Sequence, residues 1–112
     1  MSNLRNSVRL VGFLGNDPEV RTIGDKKKVA NFSIATSDSY RNDKGEKIEE
    51  TQWHNLIAWG KTADIIEKHL KKGSEVAVEG KLINRNYTDK EGLKRYITEI
   101  QINELLILGS KD

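Results

Sequence analysis

The chain has 112 residues, 36% hydrophobic and 32% charged, with 19 Lys and Arg against 17 Asp and Glu, which suits one domain with a core of its own. No apolar run approaches the roughly 20 residues that span a bilayer, and with no cysteine there are no disulfides, thiolate metal sites or cysteine nucleophiles. The net charge of +2 is too small to announce a nucleic-acid ligand, so the placement of the charges decides.

The start, Met1-Ser2-Asn3-Leu4-Arg5, lacks the apolar stretch of a secretory leader, so a cytoplasmic location is expected. Val8 to Leu14 is apolar on both alternating faces, as in a strand covered on both sides for part of its length. Gly15-Asn16-Asp17-Pro18 supplies turn residues, and Lys26-Lys27-Lys28 reads as a second turn bearing solubilising charge. Val29 to Thr36 alternates Ala30, Phe32 and Ile34 with Asn31 and Ser33, which predicts a strand with Phe32 in the core. From Thr51 to Trp59, one face carries Trp53, Asn55, Ile57 and Trp59 and the other Gln52, His54, Leu56 and Ala58. Thr62 to Leu70 breaks the rhythm: Ala63, Ile66 and Leu70 recur at helical spacing, with Thr62 as N-cap and Gly73 as the stop. Glu75 to Arg85 and Arg95 to Leu108 return to strand alternation, the latter with Tyr96, Thr98, Ile100 and Ile102 on one side. Gly12 and Gly80 fall inside strands, where they predict bulges or the sharp bends of a small barrel.

Five strands with one helix between the third and fourth is the order of the OB-fold, an all-β Greek-key barrel known as a binder of oligonucleotides and oligosaccharides. No repeat or linker divides the chain, which predicts one unit.

Catalytic signals are weak. His54 and His69 lack the spacing of a zinc pair, no nucleophile-elbow, metalloprotease or Walker motif appears, and Glu49-Glu50 suits a solvated loop. A non-enzyme without cofactor or metal is expected. Seven aromatics carry more information: Phe13, Phe32, Tyr40, Trp53, Trp59, Tyr87 and Tyr96. Leu56 and Ala58 read as barrel lining, which puts Trp53 and Trp59, an even offset apart, on the outer face. Tyr40 ends one strand beside Arg41, and Tyr87 ends another after Arg85 and Asn86. Four such rings near Arg, Lys or Asn read as stacking platforms for bases, with a second hydrophobic layer or a subunit interface as the alternative. Between Lys81 and Tyr96 five basic residues face two acidic ones, as a surface tracking a phosphate backbone requires.

These residues closely resemble the bacterial single-stranded DNA-binding proteins over about residues 4 to 108. The resemblance is carried by Asn6-Ser7-Val8, Leu14-Gly15-Asn16-Asp17-Pro18-Glu19-Val20-Arg21, Val29-Ala30-Asn31-Phe32-Ser33-Ile34-Ala35-Thr36-Ser37, Thr51-Gln52-Trp53-His54, Trp59-Gly60-Lys61, Leu70-Lys71-Lys72-Gly73-Ser74, Val78-Glu79-Gly80-Lys81-Leu82 and Tyr87-Thr88-Asp89 leading to Arg95-Tyr96. It implies that Tyr40, Trp53, Trp59 and Tyr87 are the base-stacking positions. Lys61, Lys72 and Arg85 take the basic positions that contact the backbone, with Arg41 and Asn55 completing the DNA-binding set. It further implies a homotetramer paired through the first strand, with Asn6, Val8, His54 and Glu79 at the interface, although His54 also fits a satisfied histidine of the barrel's inner layer. Tyr40 and Tyr87 stand where relatives carry Trp, Trp59 where Phe is common, and Asn55 and Ile83 where relatives are basic. The family generally continues into a flexible linker and an acidic tip that recruits partners. This chain stops at Leu108-Gly109-Ser110-Lys111-Asp112, as a shortened or a naturally short member alike would.

The expectation is thus one binding domain over 1–108, a short end at 109–112, and single-stranded DNA as the partner. Bases stack, phosphates are neutralised, and the tetramer holds strands open for replication, recombination and repair, nucleoid-associated in the cytoplasm. No membrane and no tail-mediated recruitment are expected. The rivals are an OB-domain for RNA or a primosome accessory, an assembly protein whose aromatic face binds protein, and a small metal-dependent nuclease.

Overall fold

The structure, a computed structural model, describes residues 4–24 and 27–110. In chain order it contains β1 (Val8–Leu14), β2 (Glu19–Ile23), β3 (Lys27–Arg41), β4 (Lys47–Trp59), α1 (Gly60–His69), β5 (Ser74–Thr88) and β6 (Lys94–Ser110). β1 pairs with β5, β5 with β6, β6 with β4, β4 with β3, and β3 again with β1. All these pairings are antiparallel except β4–β6. Five strands therefore close on themselves, which removes the sheet edges that would otherwise stand open.

That ring with its helix is the OB-fold expected from the alternation. The structure adds β2, which pairs only with β3 and lies outside the ring. Its five residues are exposed apart from Val20, so no core face marks it in the sequence.

Leu14, Phe32, Ile34, Leu56, Ala58, Val76, Val78, Ile100 and Ile102 are buried in one cluster, to which α1 and its C-cap add Ala63, Ile66 and Leu70. Removing a side chain such as Ile66 from water is worth about 1.5–3 kcal/mol. The helix begins two residues before the expected Thr62 cap. Its N-cap is Trp59, with no side-chain hydrogen bond, and Gly60 takes φ 61°. A glycine that accepts positive φ lets the chain leave β4 and enter the helix without a loop. The helix also ends before the expected Gly73 stop: its C-cap is Leu70, in extended conformation, and Gly73, at φ 92°, shapes the turn into β5 instead.

Both strand glycines sit at close backbone crossings. A Cβ on Gly12 would overlap the Ala35 carbonyl, and one on Gly80 the Gln101 carbonyl. Gly12 is where β1 passes from β5 towards β3, and the β5–β6 register shifts at Glu79/Gly80, a bulge.

The turn expected at Lys26–Lys28 is corrected in part. Lys26 lies outside the described residues, but Lys27 and Lys28 belong to β3. The Lys28 ammonium sits 2.7 Å from both Asp64 and Glu67 of α1, tying the start of β3 to the helix. Asp64 first, then Glu67, raises the Lys28 pKa, while Lys28 holds Asp64 below the usual carboxylate range. This tie is present above the ordinary carboxylate pKa and lost as pH falls through the depressed one.

Beyond the barrel, β3–β4 and β5–β6 continue as two arms with mostly exposed side chains, giving a longest extent of 57 Å. Each arm ends in a turn held by one side chain. Asn42 Oδ1 accepts from the N–H groups of Lys44 and Glu46, and Asp89 Oδ1 from those of Glu91 and Leu93.

Candidate nucleic-acid interface

The two-residue period of β4 sends Trp53, Asn55 and Trp59 away from the buried Leu56 and Ala58. Trp53 is 61% exposed, which excludes a core role for that ring. Its support is local: a Cβ on Gly15 would strike the six-membered ring of Trp53, so the indole lies directly over the Gly15 backbone. Trp59 is half-buried, and the Lys27 ammonium lies 5.1 Å from its ring centroid, within cation–π range. Tyr40 and Tyr87 are about half exposed on the two arms, and the Tyr40 hydroxyl donates to Glu50 over 3.3 Å. Tyr96 is more exposed still, at 72%.

The basic positions differ in how they are held. Lys61 is exposed at the start of α1, and Lys72 is exposed between α1 and β5. The Lys72 backbone N–H donates to Asp17 Oδ1 over 2.9 Å. Arg41 donates to the Gly45 carbonyl at its own arm tip. Arg85 is bound by Glu99 over 2.6 Å, and the Glu99 side chain is only 5% exposed. This hydrogen bond raises the Arg85 pKa above its ordinary value. Arg95 likewise pairs with Asp89 at 2.8 Å, which holds the Asp89 carboxyl below its usual range, helped by the Leu93 N–H. The local excess of positive charge expected of this arm is therefore partly compensated at two of its five cations.

Between the roots of the arms lies a groove of about 320 Å³, lined among others by Asn16, Asn31, Ser33, Asn55, Arg85 and Glu99. Asn16 Oδ1 accepts from both the N–H and the hydroxyl of Ser33. The turn Gly15–Asp17 thus supports Trp53 through Gly15, the groove wall through Asn16, and the Lys72 backbone through Asp17. Sequence reasoning saw only a turn here, because each of these contacts joins residues remote in the chain. The same holds for Glu99, which no spacing links to Arg85. Gly15→Ala should leave folding nearly unchanged, since a side-chain ring can move aside, yet shift the indole. The expected result is an unaltered melting temperature with a blue- or red-shifted tryptophan emission.

Of the residues expected at a subunit interface, Asn6 clamps Leu82 through its amide, accepting from the backbone N–H at 2.8 Å and donating to the carbonyl at 3.0 Å. Val8 pairs with Gly80 in the β1–β5 ladder. Glu79 is bound by Arg9 at 2.6 Å, and a His54 ring nitrogen lies 2.9 Å from the Thr36 hydroxyl. The outer face of β1, expected to be covered, carries Val11 and Phe13 at 55% and 42% exposure. Among the described residues no cluster of three or more His, Asp and Glu is arranged to hold a metal ion, and no helix is long and apolar enough to cross a membrane.

A closed five-stranded barrel, one helix after its third ring strand, and exposed rings on β4 and both arms define an OB-fold that presents an aromatic face. The model of the single-strand binding protein family matches residues 5–108, and the chain belongs to that family. It is 46% identical over 108 residues to single-stranded DNA-binding protein 1 of Chlorobaculum tepidum, covering 96% of this chain and 67% of that one. It is also 46% identical over 107 residues to single-stranded DNA-binding protein 1 of Xylella fastidiosa, covering 95% and 79%. Its fold matches the structure of a Plasmodium falciparum SSB in complex with ssDNA, with TM-score 0.85, 31% identity and coverage of 92% and 94%. With this membership the chain is a binding protein and not an enzyme.

Proposed function

We propose that this chain binds single-stranded DNA with little sequence preference, by stacking bases on Tyr40, Trp53, Trp59 and Tyr87. The observation that carries this reading is the Trp53 indole, 61% exposed and seated on backbone, a flat apolar surface offered to solvent on the face that also holds Asn55 and Trp59. Every base has a π-face, so stacking tolerates sequence. Lys61 and Lys72, both exposed, neutralise phosphates, with Arg41 near Tyr40. The bound strand is kept from re-pairing, and so is available to replication, recombination and repair in the cytoplasm.

The working form is a homotetramer. Cross-strand register sets Val11, Ala77 and Leu106 side by side, next to the row Arg9, Glu79 and Glu104. These rows line a depression of about 530 Å³, and Leu106 is 62% exposed. An apolar row of this kind, rimmed by paired charges, suits a second copy of the same surface. Asn6, Val8 and His54 belong to the same assembly.

Titration with oligo-dT across a salt series, with the molecular mass measured alongside, tests both parts. Tryptophan emission should be quenched, log K should fall linearly with log salt, and the mass should be four times that of the chain. Binding indifferent to salt, or no quenching at low salt, would overturn the reading of the site.

A further inference from the structure

We propose that the Arg85–Glu99 pair is an electrically neutral hydrogen-bonding unit that reads the edge of a nucleobase in the groove, and that Arg85 is not one of the phosphate-neutralising residues. This rests on the single-stranded DNA reading above and refines one of its residues.

The pair spans β5 and β6 diagonally. Arg85 stands opposite Ile97, and Glu99 opposite Ile83, so both side chains share one face. Glu99 is 5% exposed and Arg85 49%. A carboxylate buried at 2.6 Å from the guanidinium Nε offsets much of its charge, so the net pull left for a phosphate is weak. The wall of the groove also carries Glu19, so its one cation faces two carboxylates. That balance repels a phosphate. The remaining lining side chains that can hydrogen-bond are amides and one hydroxyl, from Asn16, Asn31, Asn55 and Ser33.

Two details favour a base edge. Glu99 engages Nε, which leaves the Nη donors of the planar fork free to point elsewhere in a fixed orientation. Asn31 Oδ1 is buried without a hydrogen-bond partner among the described residues, so the groove holds an acceptor as well as donors. Phosphate oxygens offer only acceptors and cannot answer Asn31. A nucleobase edge presents both kinds of group.

The test compares salt slopes for binding oligo-dT by wild type, Glu99→Gln, the double variant Arg85→Gln/Glu99→Gln, and Lys61→Ala. Each slope unit of about 0.7 corresponds to one neutralised phosphate on a single strand. The double variant should bind about tenfold more weakly with an unchanged slope, and should narrow the spread of affinities among dT, dC and dA oligomers. Glu99→Gln, which frees the charge of Arg85, should steepen the slope by about 0.7. The proposal is overturned if the double variant flattens the slope by that amount, if Glu99→Gln leaves it unchanged, or if the spread among oligomers is untouched. Melting temperatures check that each variant is folded, and both substitutions keep an amide able to hydrogen-bond its neighbour. Failure of wild type to bind, or of Lys61→Ala to flatten the slope, would count against the single-stranded DNA reading itself. The pair's role is judged from the other variants.

Discussion

Trp53→Ala should weaken binding to oligo-dT by about 1–3 kcal/mol, a loss of roughly fivefold to more than a hundredfold in affinity, while leaving the melting temperature almost unchanged. The separation of the two effects follows from where the ring sits. At 61% exposure it gives up little apolar burial on removal, and its neighbour is the backbone of Gly15, which needs no cover. The same substitution at Phe32, 4% exposed in the core, should instead cost about 3–5 kcal/mol of stability. Isothermal titration and thermal unfolding of the two variants side by side check the contrast. A parallel loss of stability in Trp53→Ala would return that ring to a packing role.

The ring strands were readable because each has one buried face, and burial imposes a period of two. Val76, Val78 and Ile100, Ile102 alternate for that reason. The parity of β4 by itself places Trp53 and Trp59 opposite Leu56 and Ala58. Where no face is buried, the pattern fades. β2 carries no such pattern, and the alternation that marks β3 and β5 stops at Thr36 and Arg85. The strands run on to Arg41 and Thr88 through exposed arm residues with no core to pattern them, where only Tyr40 and Tyr87 mark the strand ends. The start of α1 was misplaced because Thr62 has the chemistry of a cap, whereas the chain turns at Gly60 through its positive φ.

The site divides in the same way. Rings and lysines announce themselves by residue type. Their supports do not: Glu99 lies 14 residues from Arg85, and Asp17 55 residues from Lys72. Charge counting along the arm missed that Arg85 and Arg95 already have carboxylate partners, since only the folded register brings them together.

Gly80→Ala should be among the most damaging single substitutions in the chain, although it adds one methyl group. The new Cβ would overlap the carbonyl of Gln101 and press on Ile100 Cγ2 at 3.1 Å. The first of these is backbone in the β5–β6 ladder, so no rotamer change relieves it, and the strands must part. Overpacking of this kind costs about 1–3 kcal/mol and occasionally more; the upper end is expected here, because Gly80 also pairs with Val8 on its other side and cannot retreat. By contrast Gly45 and Gly92, at the arm tips, have open space around a Cβ, and any cost there comes only from their positive φ of 80° and 82°. The position also matters for binding. Gly80 lies at the bulge where the register shifts, and β5 beyond it carries Arg85 and Tyr87 out along the arm, so prising β5 from β6 there re-aims both. Thermal unfolding should therefore show a clear drop in melting temperature for Gly80→Ala, and oligo-dT titration well below that temperature should still show weakened binding. A variant with unchanged stability would mean that β5 and β6 do not cross as closely at Gln101 as the bulge requires.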